Sequence, residues 1–208
     1  DTMQYMRHSW VNRNRILCGD GKWTYMVVPI KKGDYTNKIN QTLIDYEQNW
    51  EDKIMAQLSF YKKKAPHYKQ VVLIMESLFE KKYENISELN IQATKLVMEY
   101  LKINKEIYRL SEMDIDISNV KEPDDWGLVV SKKFDNVKCY INAPGGKEFY
   151  NVEKYYNEGI DIKFLQTHLN AYRQSRQKEF ISGLSILDVM MFNSVEEIQN
   201  MLKNYVLL

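Results

Sequence analysis

Residues 12–15 read Asn-Arg-Asn-Arg, between Trp10-Val11 and Ile16-Leu17. A guanidinium is a rigid fork of donors that fits a phosphate or carboxylate, and a carboxamide offers both a donor and an acceptor. Asn12, Arg13, Asn14 and Arg15 thus carry the chemistry to hold a charged, hydroxyl-rich ligand. The competing reading is an exposed strand face. A second candidate is Asn142-Ala143-Pro144-Gly145-Gly146, which follows a short apolar run and is expected to open a helix. Ligands of open parallel sheets bind at the carboxyl ends of strands, and helix N-termini attract anions. Gly145 and Gly146 would let a ligand approach the backbone, with Asn142 orienting its polar groups; a tight strand-to-helix turn is the alternative.

A third candidate is Gly183 to Asp188. Ser185 and Asp188 lie three apart and share a helix face. Asp188 stands inside the apolar run Ile186 to Phe192, and a carboxylate in such a place is rarely buried unpaired. It caps a neighbouring helix, pairs with Arg13 or Arg15, or acts as a general base, with pairing the stronger reading. Tyr172 and Gln174 add an aromatic ring and an amide suited to a sugar, or else are surface. No histidine stands near Ser185, so no Ser-His-Asp triad is inferred.

These residues need elements to position them. Residues 11–30 alternate as a hairpin around Cys18-Gly19-Asp20-Gly21-Lys22, with Lys31 to Lys38 as a loop. Trp50, Ile54, Leu58 and Tyr61 fall on one face of a helix over 47–62. A second helix is expected over 68–82 and a third after Ser87 as N-cap, making a helical insertion of about residues 47–104. Lys105 to Leu110 reads as a strand and Trp126 to Phe134 as a helix. The order strand (139–141), helix (147–157), strand (159–164) implies a crossover between neighbouring parallel strands. The fold class is therefore α/β: a mixed or parallel sheet with flanking helices, as a single domain over 1–208. Ser194-Val195-Glu196-Glu197 is a capping box opening a last helix with Val195, Ile198, Met201, Leu202 and Tyr205 on its apolar face.

Hydrophobic residues make up 44% of the 208 and charged residues 27%, a globular balance. A net charge of +1 gives no field to attract nucleic acid, and no apolar stretch of membrane-spanning length occurs. Cys18 and Cys139 belong to no CxxC pair and read as reduced, partly buried residues of a cytoplasmic protein. His8, His67 and His168 lack metal-ligand spacing, so no metal is expected. The sequence leaves any cofactor unidentified.

Several segments together resemble the WbqC-like proteins. They are Gln4-Tyr5, Trp10 to Ile16, Val28-Pro29, Lys64-Ala65-Pro66, Tyr140 to Gly146, and Phe180 with Gly183 to Asn193. The resemblance covers nearly the whole chain. It implies a bacterial cytoplasmic protein of O-antigen, lipopolysaccharide or other surface-polysaccharide biosynthesis. The implied activity is transfer on an activated sugar or its acyl or aminoacyl group; a non-catalytic binding or scaffold role in that pathway is the alternative. The implied partner is a small phosphate- or carboxylate-bearing sugar, with neither nucleic acid nor membrane insertion. Family members begin with a strand carrying His-Gln-Pro and a Gly-Tyr-Phe segment. This chain starts at Asp1 without them, so either an upstream segment is missing and the site residues named here are a partial list, or half of the implied site is absent. Where the family carries a basic residue before the Cys139 strand, this chain has Glu122-Pro123-Asp124-Asp125-Trp126.

Overall fold

A computed structural model describes residues 1–19, 21–33, 37–175 and 179–208. The chain divides into two compact units: Asp1–Ser111 with Leu169–Met201, and Glu112–His168 with Leu202–Leu208.

The first unit starts from an antiparallel hairpin, β1 (Arg13–Gly19) and β2 (Lys22–Val27). Its register sets Arg13 opposite Val27, Arg15 opposite Tyr25 and Leu17 opposite Trp23, then shifts between Leu17 and Gly19. Asp20 in the expected turn, and residues 34–36 in the expected loop, lie outside the described residues. Three helices follow: α1 (Trp50–Leu58), α2 (Tyr68–Phe79) and α3 (Ile86–Tyr100). The predicted face of α1 is buried at Trp50, Ile54 and Leu58, and a tight 3-10 turn over Ser59–Tyr61 carries Tyr61 onto the same side. The cap of α3 is Asn85 rather than Ser87. The Asn85 carboxamide accepts the Glu88 N–H, and the Glu88 carboxylate accepts the Glu84 N–H in return. Two short helices, α6 (Ile186–Phe192) and α7 (Val195–Met201), complete the unit. Ser194 and Glu197 close the predicted capping box on α7. Leu202 and Tyr205 lie past its end, and Tyr205 begins a strand instead.

Residues 105–109, expected as a strand, form no regular element, and Leu110–Glu112 is a 3-10 turn. A strand needs a ladder partner. Here the Ser111 N–H and hydroxyl turn to the Asp1 carboxylate instead.

The second unit holds α4 (Asp125–Ser131), β3 (Cys139–Asn142), α5 (Val152–Tyr156), β4 (Asp161–Thr167) and β5 (Tyr205–Leu207). β3 and β4 are parallel neighbours, as the strand–helix–strand order requires, and β5 adds antiparallel to β4. The sheet is thus mixed, and the α/β class holds. The helix expected from residue 147 starts later, at Val152. Pro144–Gly146 forms a 3-10 turn, and glycine is a poor helix former. Cys18 and Cys139 are free, as expected, but exposed rather than partly buried. Cys18 alternates with buried Leu17, and Cys139 starts the edge strand of its sheet.

The core of this unit is aromatic. Tyr140 stacks on Tyr150 and Tyr155 at 6.0 and 5.5 Å, and Tyr150 meets Phe164 edge-on. Tyr155 is fully buried and donates to the Asp124 carbonyl at 2.7 Å. Lys154 bridges the carboxylates of Asp124 and Asp125, each at 3.0 Å. The N–H groups of Glu122 and Lys121, with Lys154, hold the Asp125 carboxyl down at about 2. Gly127 makes the close stacking possible. A Cβ there would stand 2.6 Å from both the Tyr140 ring and the Tyr155 oxygen. Gly127→Ala should therefore destabilise the protein by about 1–3 kcal/mol despite its better helix propensity, as measured by urea denaturation followed through tyrosine near-UV dichroism.

Candidate functional site

β1 is flanked by β2 on one edge, and its other edge has to satisfy backbone groups elsewhere. The Asn14 carboxamide oxygen accepts the Arg15 N–H at 2.9 Å. The Arg15 carbonyl accepts the Ser185 N–H at 2.8 Å. The Leu17 N–H donates to the Tyr61 hydroxyl at 2.8 Å. Residues 183–188 are thereby docked on the hairpin. Arg15 reinforces the docking by donating to the Gly183 carbonyl at 2.7 Å. Gly183 has φ +66°, and a Cβ there would meet the Arg15 guanidinium at 2.6 Å. Only glycine meets both demands.

Arg13 and Arg15 share a hairpin face with aromatic rings. The Arg13 guanidinium lies 4.4 Å from the Tyr25 ring centre; that of Arg15 lies 5.1 Å from Trp23 and 5.3 Å from Trp10. Such contacts contribute about 0.5–1 kcal/mol each where exposed and hold the forks in place. Arg13 also donates to the His8 carbonyl. The Nε of each arginine is buried without a hydrogen-bond partner. Asn12 is engaged at both ends of its carboxamide, which accepts from the Tyr5 hydroxyl at 2.9 Å and donates to the Val28 carbonyl at 2.9 Å.

Beside this run, within the first unit, lies a cavity of about 380 Å³. Its polar wall includes Asn12, Arg13, Asn14, Asn90, Thr94 and Ser185. Its apolar wall comes from Ile54 of α1, Ile74 and Leu78 of α2, and Leu89 and Val97 of α3. The volume suits a small-molecule site. Ser185 caps α6, accepting the Leu187 N–H at 3.2 Å. Trp50 lines the cavity, and its indole N–H is buried without a hydrogen-bond partner.

Asp188 is 0% exposed and is not part of the cavity wall. Tyr61 donates to Oδ1 at 2.5 Å, Tyr172 to Oδ2 at 2.6 Å, and the Gln174 amide to Oδ2 at 3.4 Å. Of the roles open to Asp188 in the sequence, pairing with Arg13 or Arg15 is not the one adopted; both oxygens accept from neutral donors. Gln174 also exchanges hydrogen bonds with the backbone of Ile181, at 2.9 and 2.8 Å. Tyr172 and Gln174 therefore face the buried carboxylate. Burial raises the Asp188 pKa, and the three donors offset only part of that rise. The hydroxyls of Tyr61 and Tyr172 are pushed far above 10 by burial and by the adjacent carboxylate.

Asn142, Gly145 and Gly146 belong to the second unit. The Asn142 carboxamide oxygen accepts the Ala143 N–H at 2.8 Å. Gly145 has open space where a Cβ would stand, whereas at Gly146 a Cβ would crowd Asn142 and Tyr150. No α-helix starts here, so the turn lacks the helix dipole that the anion argument invoked.

Sequence reasoning placed Asn12 to Asn14 and Ser185 on a ligand wall, and the structure brings these four to one cavity. It missed Tyr61 as a polar residue, because its position on an apolar stripe concealed the hydroxyl. Hairpin pairing would have signalled Trp23 and Tyr25 as partners of the arginines. Among the described residues, no cluster of three or more His, Cys, Asp or Glu could hold a metal ion. No helix among them is long and apolar enough to cross a membrane.

The WbqC-like protein family matches this chain over residues 1–200, and the chain belongs to it. The chain is also 26% identical over 195 residues to the uncharacterized protein Rv1507c of Mycobacterium tuberculosis, across 91% of this chain and 80% of that protein. No solved structure matches it significantly.

Two outcomes follow from the Asp188 network. Tyr172→Phe should cost about 1.5–3 kcal/mol in urea denaturation, because it withdraws a donor from a buried acceptor. The folded-state pKa of Asp188 lies above its ordinary 3.8, so the folded state holds that proton more tightly than the unfolded chain. The stability this contributes is complete below 3.8 and is lost as pH rises through the raised value. The stability of the wild type relative to Asp188→Asn should accordingly fall as pH is raised from about 4; a difference that grows with pH contradicts it.

Proposed function

We propose that this member of the WbqC-like family is a cytoplasmic transferase of bacterial surface-polysaccharide biosynthesis. It would act on a nucleotide-linked sugar or on the acyl or aminoacyl group the sugar carries. The observation that supports this reading best is the convergence of Arg13, Asn14 and Ser185 on one cavity wall. Arg13 is the anion contact: its guanidinium is aligned by Tyr25 and His8, and Nε is without a partner. Asn14 keeps its amide N–H₂ for the ligand, since only its oxygen is used by Arg15. Asn12 and Arg15 act by positioning, one tying the strand start to Val28 and the other clamping Gly183. In the second unit, the Asn142 amide and the open backbone at Gly145 would orient polar groups of a ligand.

Asp188 would serve as a base only after giving up a tyrosine donor; in the arrangement present it positions Tyr61 and Tyr172. That both its oxygens are engaged favours a second reading, in which the chain binds the sugar without converting it. Titration of the protein with a panel of nucleotide-sugars tests the site. Arg13→Ala should weaken the best ligand about tenfold or more, the loss expected of a charge-assisted contact. Unchanged affinity would overturn the anion role. Product formation from that ligand and candidate acceptors separates transfer from binding alone.

A further inference from the structure

The polar wall of the cavity is one side of it only. Apart from Asn12, Arg13, Asn14, Asn90, Thr94 and Ser185 the lining is aliphatic and aromatic, much of it from three helices, with Ile54, Ile74, Met75, Leu78, Leu96 and Val97 facing the same space. A sugar or nucleotide in this part would lose its hydration with few hydrogen bonds in return. The matching occupant has an apolar chain and an anionic head. The wall's polar atoms fix which end goes where. Arg13 donates to the His8 carbonyl, and its Nε is without a partner. Asn90 and Thr94 largely answer backbone, Asn90 donating to the Val11 carbonyl at 2.8 Å and Thr94 to the Asn90 carbonyl at 2.7 Å. Among the described residues, Arg13 is the only charged side chain lining the cavity, so charge complementarity calls for a negative head beside it.

We infer that this cavity is an acyl-chain site: it takes an aliphatic chain against α1, α2 and α3, with an anionic carboxylate or phosphate head at Arg13. This deepens the proposed function by naming the class of ligand the site holds, an acyl chain with an anionic head, and it rests on that reading. The sources of such a head, a free fatty acid or an acyl phosphate, share this chemistry.

The test is a titration of the intact protein with cis-parinaric acid, followed by displacement with unlabelled fatty acids of increasing length. Saturable binding is expected, with affinity rising by up to about fourfold per methylene until the cavity is filled and then levelling off. Arg13→Ala should weaken the fatty acid about tenfold while leaving the fatty alcohol of equal length little changed. Ala93→Trp, which fills the cavity from α3, should abolish probe binding with the circular dichroism spectrum retained; the chain-length series on the wild type decides the matter if that variant does not fold. Non-saturable uptake, affinity that climbs with length without levelling, or equal binding of acid and alcohol by Arg13→Ala and wild type overturns the proposal. So does probe binding that vanishes as the protein self-associates, which would assign the cavity to a second copy. A wild type that binds chainless nucleotide-sugars but not the chain probe overturns the acyl site alone and leaves the proposed function standing. Comparing the fatty acid with an acyl phosphate of equal length identifies the head.

Discussion

A carboxyl group with no access to water must be met by hydrogen-bond donors, hold its proton to a higher pH, or force the fold to change around it. Asp188 sets that condition for the first unit. Its donors come from separate stretches: Tyr61 from the turn after α1, Tyr172 and Gln174 from the irregular segment before residue 175. Tyr61 in turn accepts the Leu17 N–H, so one hydroxyl joins the hairpin to α6. Gln174 passes the constraint on to Ile181 through its two backbone hydrogen bonds. Segments more than a hundred residues apart in sequence thereby share one polar centre. All of these donors are neutral, which leaves both arginines of the hairpin for other work.

That other work is done at β1. The strand gives its inner edge to β2 and its outer edge to Asn14, Ser185 and Tyr61. The docked 183–188 segment brings Ser185 and Leu187 to the cavity wall. Aromatic rings opposite and beside the arginines align the guanidiniums without neutralising them. Packing, edge satisfaction and charge placement are therefore consequences of the same few contacts.

The helices and the parallel pair were legible because each rests on local periodicity or on a short connection. The burial of Trp50, Ile54, Leu58 and Tyr61, and the pairing of Cys139–Asn142 with Asp161–Phe164, follow from those patterns. Cap and boundary positions were less so, since Asn85 and Ser87 compete on equal local terms and only the reciprocal bond of Glu88 chooses between them. The strand expected at 105–110 failed because pairing is a non-local property. At the site, residue types were legible while their partners were not: that Asp188 is met by phenols rather than guanidiniums depends on which side chains the fold carries inward.

The outer edge of β1 also bears on how this protein avoids its own kind. A two-stranded hairpin ordinarily presents a free row of amides and carbonyls that another chain can extend into a shared sheet. Here that row is closed piecemeal, by a carboxamide, a helix cap and a phenol, with no third strand among the described residues spent on it. Only one of the three closing contacts, the Ser185 N–H on the Arg15 carbonyl, belongs to residues 183–188. Local opening of that segment would free this carbonyl while the Asn14 carboxamide and the Tyr61 hydroxyl still cover their own positions. The edge is thus guarded at three separate points, so that releasing the clasp of one arginine on one glycine bares a single acceptor.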